Sequence, residues 1–344
     1  MQFLTNKNTI RLFLFIIFVY LFSYFNLMKE ITRKKKDINI ILIENELKYL
    51  NVMNKSILKL NFNQKLYHTT VISTFFTLQM SKHSNRKYRV WIRNMLLSIN
   101  SPLAIYTDYK SKDLIIKYRS KRPTILYIYE SLWQLMRELE ISRNKSDFFY
   151  INKYVYNQMD KDSERKIHNP NLYAIWNLKS FMANRIGQDN PFGSKFFIYT
   201  DMGAWREGLI PKWPNKTFTK LVDKKLNGRI LFGQINKFER FSPHFDIIEG
   251  GFFAGNQQAL INFEFNFYNI HDQRLNLNYF IGKDQTMMNI MTFQTHPDQV
   301  ARLNCYEFIC NDRYNDSWFF YQIYFAQNRF YKCNHDKLSL ISIA

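Results

Sequence analysis

The chain has 344 residues, of which 46% are hydrophobic and 22% are charged, so it can bury a sizeable core and is not a disordered tail. Its three cysteines exclude a disulfide-dense scaffold and a zinc-finger array. Lys and Arg number 48 against 28 Asp and Glu, which gives a net charge of +20. Such a chain could bind polyanions, but it shows no nucleic-acid-binding motif, so we expect no nucleic-acid partner and keep that function as an alternative only.

An apolar segment lies near the amino end of the chain. Leu12 to Met28 is 17 residues long without a charged side chain, which is at the short end of what spans a bilayer as a helix. Bulky residues stand near its end, where a cleaved signal peptide would need small ones. We therefore predict an uncleaved signal anchor and transmembrane helix over residues 1–28. A cleaved signal peptide and a buried soluble helix are the alternatives.

Two signals disagree about the side of the membrane on which the rest of the chain lies. More basic residues follow the apolar segment than precede it, and the positive-inside tendency would then keep the body in the cytosol. Against this stand four N-x-Ser/Thr sequons, at Asn54, Asn144, Asn215 and Asn315, which favour a lumenal body. Residues 29–66 read as a polar, partly helical stem.

Strands and helices alternate through the rest of the chain. Runs of β-branched and aromatic residues predict strands at 69–76, 102–107, 124–129, 195–200, 229–234 and 247–254. Helical spacing of apolar residues predicts helices at 88–99, 131–141, 173–185, 256–268 and 284–295, and 318–326 is an aromatic-rich helix or strand. This alternation indicates an α/β layered domain, and no linker follows residue 66, so we predict one domain over 67–344.

Asp201 is the first candidate site residue. It directly follows the predicted strand at 195–200 and precedes Gly203, and ligands gather at the carboxyl ends of strands in open α/β sheets. Its carboxylate could hold a divalent cation, Mn²⁺ or Mg²⁺, which would neutralise a diphosphate leaving group. The alternative is a helix cap or turn. Asp160 and Asp162 form a literal Asp-x-Asp, but it lies in a polar loop and we predict no metal site there.

A glycine-rich run supplies further candidates. All ten glycines fall within residues 187–282, and in the run 246–256 they flank aromatic residues, so a ligand could lie against bare backbone. The alternative is a strand with a β-bulge. The candidates in this run are Glu249, Gly250, Gly251 and Gly255.

Three polar residues outside this run complete the set. Asp284 opens a predicted helix and could act as a general base, with a helix cap as the alternative. Its neighbour Gln285 would lie beside it. Arg206 follows Asp201 closely and could bind phosphate through two N–H groups, with a solvated surface residue as the alternative. The histidines show no ligand spacing, and in a lumenal compartment Cys305 could bridge to Cys310 or Cys333.

Taken in order, these runs resemble the HtrL/YibB family, which is grouped with glycosyltransferases of the GT-A fold. The resemblance covers about residues 67–330. It is carried by TTVISTFF, KYRVWIRNMLLSINSPLAIYTD, WNLKSFMANRIGQDNPFGSKFFIYTDMGAWRE, IEGGFFAGN and GKDQTMMNIM. It implies a GT-A-like mixed sheet flanked by helices that binds a nucleotide sugar.

The resemblance also implies roles for the candidate residues. Asp201 would stand at the metal-binding carboxylate motif, the glycine-rich run would line the donor or acceptor sugar, and Asp284 and Gln285 would lie near the acceptor. Asp201 here is followed by Met202 and Gly203, so this segment supplies one carboxylate where Asp-x-Asp supplies two, which leaves metal dependence open.

We therefore expect a single-pass type II membrane protein of the Golgi or endoplasmic reticulum lumen. It would transfer a sugar from a nucleotide-sugar donor to a hydroxyl group of a glycan or protein acceptor. The alternative is a catalytically inactive, glycan-binding or scaffolding relative of the same fold.

Overall fold

A computed structural model describes residues 17–31, 33–34, 36–37, 55–62, 66–78, 83–237, 245–305, 317–326 and 337–343. The chain divides into two compact units, Met1–Tyr49 and Leu50–Ala344. In the first unit, residues 17–31 form a helix, α1, whose apolar side chains, among them Phe18 and Phe25, are exposed. Among the described residues, the structure contains no helix with the length and apolar character that a membrane crossing requires. Residues 1–16 of the predicted anchor lie outside the described residues, and the anchor stays a prediction.

The second unit is built on one mixed β-sheet. The order of the described strands across it is β1-β4-β3-β2-β5-β7-β6-β8-β9. The strands are β1 (Lys55–Leu60), β2 (Thr69–Phe75), β3 (Leu103–Asp108), β4 (Thr124–Tyr129), β5 (Phe196–Thr200), β6 (Ile230–Gln234), β7 (Ile248–Gly255), β8 (Val300–Asn304) and β9 (Ile341–Ile343).

Helices connect most of these strands. They are α2 (Asn85–Ser98), α3 (Lys112–Arg119), α4 (Leu132–Ser142), α5 (Phe149–Asn157), α6 (Pro170–Asp189), α7 (Lys216–Leu226), α8 (Gln257–Asn276), α9 (Asp284–Ile290) and α10 (Phe320–Tyr324). Local chemistry fixes where several of them begin. The side chains of Ser131, Asn169 and Asn256 accept hydrogen bonds from the first free backbone N–H groups of α4, α6 and α8.

Alternate residues of the central strands face two layers of helices. Ile198 of β5 belongs to the core cluster that includes side chains of α2, α7 and α10. The next residue, Tyr199, stacks on Phe253 of β7, which in turn contacts Phe263 of α8. The predicted α/β class, with a mixed sheet flanked by helices, is therefore confirmed.

The strand directions create a crevice at one edge of the sheet. β2, β3, β4 and β5 run parallel, β7 runs antiparallel between β5 and β6, and β1 and β9 pair antiparallel with β4 and β8. From β2 the chain continues to β3 on one side, whereas β5 lies on the other side. In open α/β sheets, ligands bind outside the carboxyl ends of the strands at such a switch point.

One expectation needs correction. β1 lies inside the predicted stem of residues 29–66 and pairs with β4, so the domain begins before residue 67. Cys305 is a buried free thiol in the structure, and its Sγ contacts the carbonyl oxygen of Leu303 at 3.5 Å. Burial raises the pKa of this thiol well above its usual value. Cys310 and Cys333 lie outside the described residues.

Candidate functional site

A cavity of about 1000 Å³ opens at the carboxyl edge of the parallel strands. Its wall includes the end of β2 and the residues after it (Thr74 to Leu78), the turn after β5 (Asp201 to Ala204), the start of β7 (Glu249 to Gly251) and the start of α9 (Lys283 to Gln285). The cavity thus lies at the switch point between β2 and β5. A volume of this size accommodates a ligand as large as a nucleotide sugar.

A buried lysine joins two of the predicted carboxylates in this cavity. Nζ of Lys179, in α6, lies 3.0 Å from Oδ2 of Asp201 and 3.0 Å from Oδ2 of Asp284. It also donates a hydrogen bond of 2.8 Å to the carbonyl oxygen of Gly250. The side chain of Lys179 is 4% exposed and that of Asp284 6%, whereas that of Asp201 is 33% exposed. Asp201 is therefore the member of this cluster that reaches the open cavity.

Backbone contacts hold the carboxylates in place. Asp201 leaves β5 with its N–H on the carbonyl oxygen of Gly251 (2.9 Å), and Oδ1 of Asp201 accepts a 3.0 Å hydrogen bond from the Tyr199 hydroxyl. Oδ1 of Asp284, at the first position of α9, accepts a 2.9 Å hydrogen bond from the N–H of Gln285. A carboxylate in the first turn is also favoured by the helix dipole.

The charges within this cluster depend on one another. Burial opposes the charged ammonium of Lys179, but the carboxylates of Asp201 and Asp284 outweigh it and raise its pKa. Burial raises the pKa of Asp284, although the positive charge of Lys179 acts in the opposite direction and lowers it. Burial and Asp201 keep the pKa of Tyr199 well above its usual value, so its phenol stays protonated and donates to Asp201.

The glycine-rich run gives these carboxylates their space. The pairing of β7 with β6 shifts register between Phe232 and Gln234, so the run contains the predicted bulge and also lines the cavity. A Cβ atom on Gly250 would lie 2.6 Å from Oδ1 of Asp284, and one on Gly251 would lie 3.4 Å from Oδ2 of Asp201. The bulge and the binding interpretation are therefore compatible.

These two distances predict unequal effects of adding a methyl group. We expect Gly250→Ala to push the Asp284 carboxylate away from Lys179 and to lower the free energy of unfolding by about 1–3 kcal/mol. Gly251→Ala is the matched control and should cost at most about 1 kcal/mol, because its new contact is close to ordinary packing. Urea unfolding of both variants measures the difference. Equal losses would show that Gly250 is not required to make room for Asp284.

Arg206 is oriented by two aromatic rings at the mouth of the cavity. Its guanidinium carbon lies 4.8 Å from the ring centroids of both Trp91 and Phe319, and its Nε donates to the carbonyl oxygen of Gly203 at 3.2 Å. This hydrogen bond uses Nε only and does not involve the two terminal nitrogens of the guanidinium group. Arg206 as a whole is exposed, and its role in phosphate binding stays a prediction.

The other predicted residues have different surroundings. Glu249 lines the cavity but is 1% exposed, and its side chain runs beside Gly233, on which a Cβ atom would lie 2.5 Å from Oε1. Gln285 lines the cavity while its amide donates to the carbonyl oxygen of Ile248 (2.9 Å). The prediction for Gly255 needs correction. This residue does not line the cavity, because it lies at the far end of β7, packed against Ala259.

Lys179 is not among the residues predicted from the sequence. It lies within the predicted helix at 173–185. Met182 and Ala183, three and four residues further along and therefore on the same face of the helix, are buried. A lysine on the buried stripe of a helix is uncommon unless it is paired, and this is the signal that could have identified it.

A polar group beside α6 was also missed. Asp162, which the sequence places in a solvated loop, is buried, and its Oδ2 binds Nδ1 of His168 (2.8 Å) and the hydroxyl of Tyr173 (2.7 Å). Asp162, Glu164 and His168 each offer one ligand atom, and these three atoms lie within 4.8 Å of one another. The group could therefore hold a metal ion. However, Asp162 and His168 already bind each other, and Lys283 pairs with Glu164.

The predicted cation on Asp201 can be tested against the same geometry. Both carboxylate oxygens of Asp201 already accept hydrogen bonds, from Tyr199 and Lys179. The point shared with Asp284 is taken by the ammonium group of Lys179. The residues present do not fit a divalent cation held between these two carboxylates.

Comparison with protein-family models and with curated proteins found no match to this chain. The resemblance to the HtrL/YibB family thus stays a prediction from the quoted motifs, and the function has to be argued from the site.

Proposed function

We propose that this protein is a GT-A-like glycosyltransferase that moves a sugar from a nucleotide-sugar donor to a hydroxyl acceptor. The observation that carries the proposal is the cavity at the switch point of the sheet, into which Asp201 projects from the Lys179 cluster. The mixed sheet with helices on its faces is the architecture that the motif resemblance implies.

The wall of the cavity offers groups suited to both halves of such a donor. Cationic side chains that could meet a diphosphate are Lys110, Lys117, Arg206 and Lys283. Aromatic side chains that could stack on a base or a sugar are Phe75, Tyr88, Trp176 and Phe319. A cavity with both kinds of group fits a ligand that is charged at its centre and flat at its ends.

The reaction requires one proton acceptor, and exposure selects it. The acceptor oxygen forms a bond to the anomeric carbon, the bond from that carbon to the diphosphate breaks, and the nucleoside diphosphate leaves with the electron pair. We assign the hydroxyl proton to Asp201, because its carboxylate is 33% exposed and each oxygen retains a lone pair. Asp284 and Glu249 are too deeply buried for this role and instead shape the site.

Donor binding tests the proposal directly. The purified full-length protein is heated with UDP-glucose, UDP-N-acetylglucosamine, UDP-galactose, GDP-mannose or GDP-fucose. We expect at least one donor to raise Tm by roughly 5 °C at about 100 times its Kd. Arg206→Ala should weaken this binding, whereas Arg229→Ala, remote from the cavity wall, is the matched control.

The competing function is glycan binding without transfer. It predicts that none of the nucleotide sugars changes Tm, while a glycan does. A set of donors that leaves Tm unchanged would therefore remove the transferase proposal and favour the inactive relative.

The proposed location is the Golgi or endoplasmic reticulum lumen, with the amino-terminal segment as the anchor. Of the four sequons, Asn144 is exposed, and Asn215 uses its Oδ1 to cap α7. Asn54 and Asn315 lie outside the described residues.

A further inference from the structure

We infer that Lys179 is a built-in cation: its ammonium group permanently takes the place between Asp201 and Asp284 that a divalent metal would take. The site therefore works without a metal ion. The occupancy of this place is independent of any reaction, whereas the statement about metal-free transfer rests on the proposed function.

Three oxygens surround the ammonium group of Lys179, two of them as hydrogen-bond acceptors and the third, from Asp284, as an ion-pair partner. A lysine ammonium has three N–H donors, and three oxygens surround this one at 2.8–3.0 Å. They come from two carboxylates and one backbone carbonyl, which is an oxygen set that a hard divalent cation also prefers. The distances, however, are those of hydrogen bonds, whereas Mg²⁺ would require about 2.0–2.1 Å.

A metal ion could enter only if the ammonium group left, and the surroundings oppose this. The Lys179 side chain is 4% exposed, and the ring of Tyr199 lies 5.7 Å from its Nζ. An ammonium pushed away from these three oxygens would lose two carboxylate partners, which is costly. A metal placed beside it would face an adjacent positive charge.

This arrangement divides the work of the site. Lys179 donates to Asp201 and Gly250 and pairs its charge with Asp284, so it is a positioning residue that holds Asp201 and Asp284 at a fixed distance. The charge of the leaving diphosphate would fall to cationic side chains at the cavity wall, such as Arg206 and Lys110. This is electrostatic stabilisation by fixed protein groups.

Mn²⁺ binding, followed by electron paramagnetic resonance without any nucleotide, tests the inference. We expect no Mn²⁺ to bind at Asp201 in the wild-type protein, so the wild type and Asp201→Asn should bind Mn²⁺ equally. We expect Lys179→Met to bind Mn²⁺ at least about tenfold more tightly than the wild type, because two carboxylates and a carbonyl become available. The gain should disappear in Lys179→Met/Asp201→Asn. Lys195→Met, which removes an exposed lysine, is the matched control and should gain nothing.

Two results would overturn the inference. One is wild-type Mn²⁺ binding that Asp201→Asn abolishes, and the other is a folded Lys179→Met protein that gains no Mn²⁺ affinity. Circular dichroism establishes whether this variant folds, and if it does not, the wild-type and Asp201→Asn pair decides. The donor-induced rise in Tm should also persist in EDTA, and a rise that requires Mn²⁺ would contradict metal-free action. A protein that binds no donor refutes the proposed function, while the Mn²⁺ result still decides the role of Lys179.

Discussion

Replacing Asp201 by Asn should slow sugar transfer by about 10²–10⁴-fold, which is the range that a positioned general base contributes. The Asn side chain keeps the shape of the carboxylate and can still accept the hydrogen bond from Tyr199, but it cannot take a proton from the acceptor hydroxyl. Turnover is measured with the donor that gives the largest Tm rise.

Asp201→Asn could also slow transfer by disturbing the packing around residue 201. The kinetic pattern separates this effect from loss of the base. Loss of the base lowers kcat and leaves the donor KM within a few-fold, because the cationic groups of the cavity wall remain. Asp298→Asn is the matched control: Asp298 is exposed and does not line the cavity, so this variant should keep wild-type turnover. If Asp201→Asn retains more than about a tenth of wild-type kcat, Asp201 is not the base.

Much of the fold could be predicted from the sequence because its central strands are locally distinctive. The run TILYIY became β4 with the predicted bounds, and Ser131, the first residue of the helix predicted at 131–141, caps α4. Buried strands made of β-branched and aromatic residues carry this signal within a few residues, so no knowledge of their partners is needed. The helices α6 and α8 proved longer than predicted, because polar residues at their ends hid the continuing helix.

The strands that were missed depend on partners far along the chain. β1 is a six-residue edge strand with two lysines, and only its pairing with β4 shows that it is not part of a stem. The short strands β8 and β9 likewise gain their pairing from distant segments. Strand formation at a sheet edge is decided by such tertiary context more than by local composition.

The site shows the same division between local and distant information. Asp201 and Asp284 were chosen from local patterns, namely a strand end and a helix start, and both line the cavity. The lysine that joins them lies on a third element, 22 residues before Asp201. A helical pattern indicates that position 179 faces the interior, but only the assembled fold shows that carboxylates meet it there.

The largest expected loss of stability follows removal of a second buried cation, Arg119 at the end of α3. It is 0% exposed, and all five of its N–H donors have acceptors. These are Thr124 Oγ1 and the carbonyl oxygens of Leu96, Ile99, Ser101 and Pro123. Two of these carbonyls belong to the end of α2, where the helix dipole favours a positive charge.

Arg119→Met should therefore lower the free energy of unfolding by about 3–5 kcal/mol, because it removes a fully buried charged group and the five hydrogen bonds that it donates. Burial, with the neighbouring Arg122, lowers the pKa of Arg119 to about 9, which leaves the guanidinium charged at neutral pH. The corresponding fall in Tm is roughly 10 °C. Urea unfolding and calorimetry measure both quantities.

Arg122 offers a matched comparison within the same structure. It donates to the carbonyl oxygens of Leu96, Leu97 and Ile99, but it is only half-buried. Two of these carbonyls, those of Leu96 and Ile99, keep Arg119 as a donor when the Arg122 side chain is shortened. We therefore expect Arg122→Met to cost at most about half as much as Arg119→Met. Equal losses in the two variants would mean that the buried hydrogen bonds of Arg119 do not set its contribution.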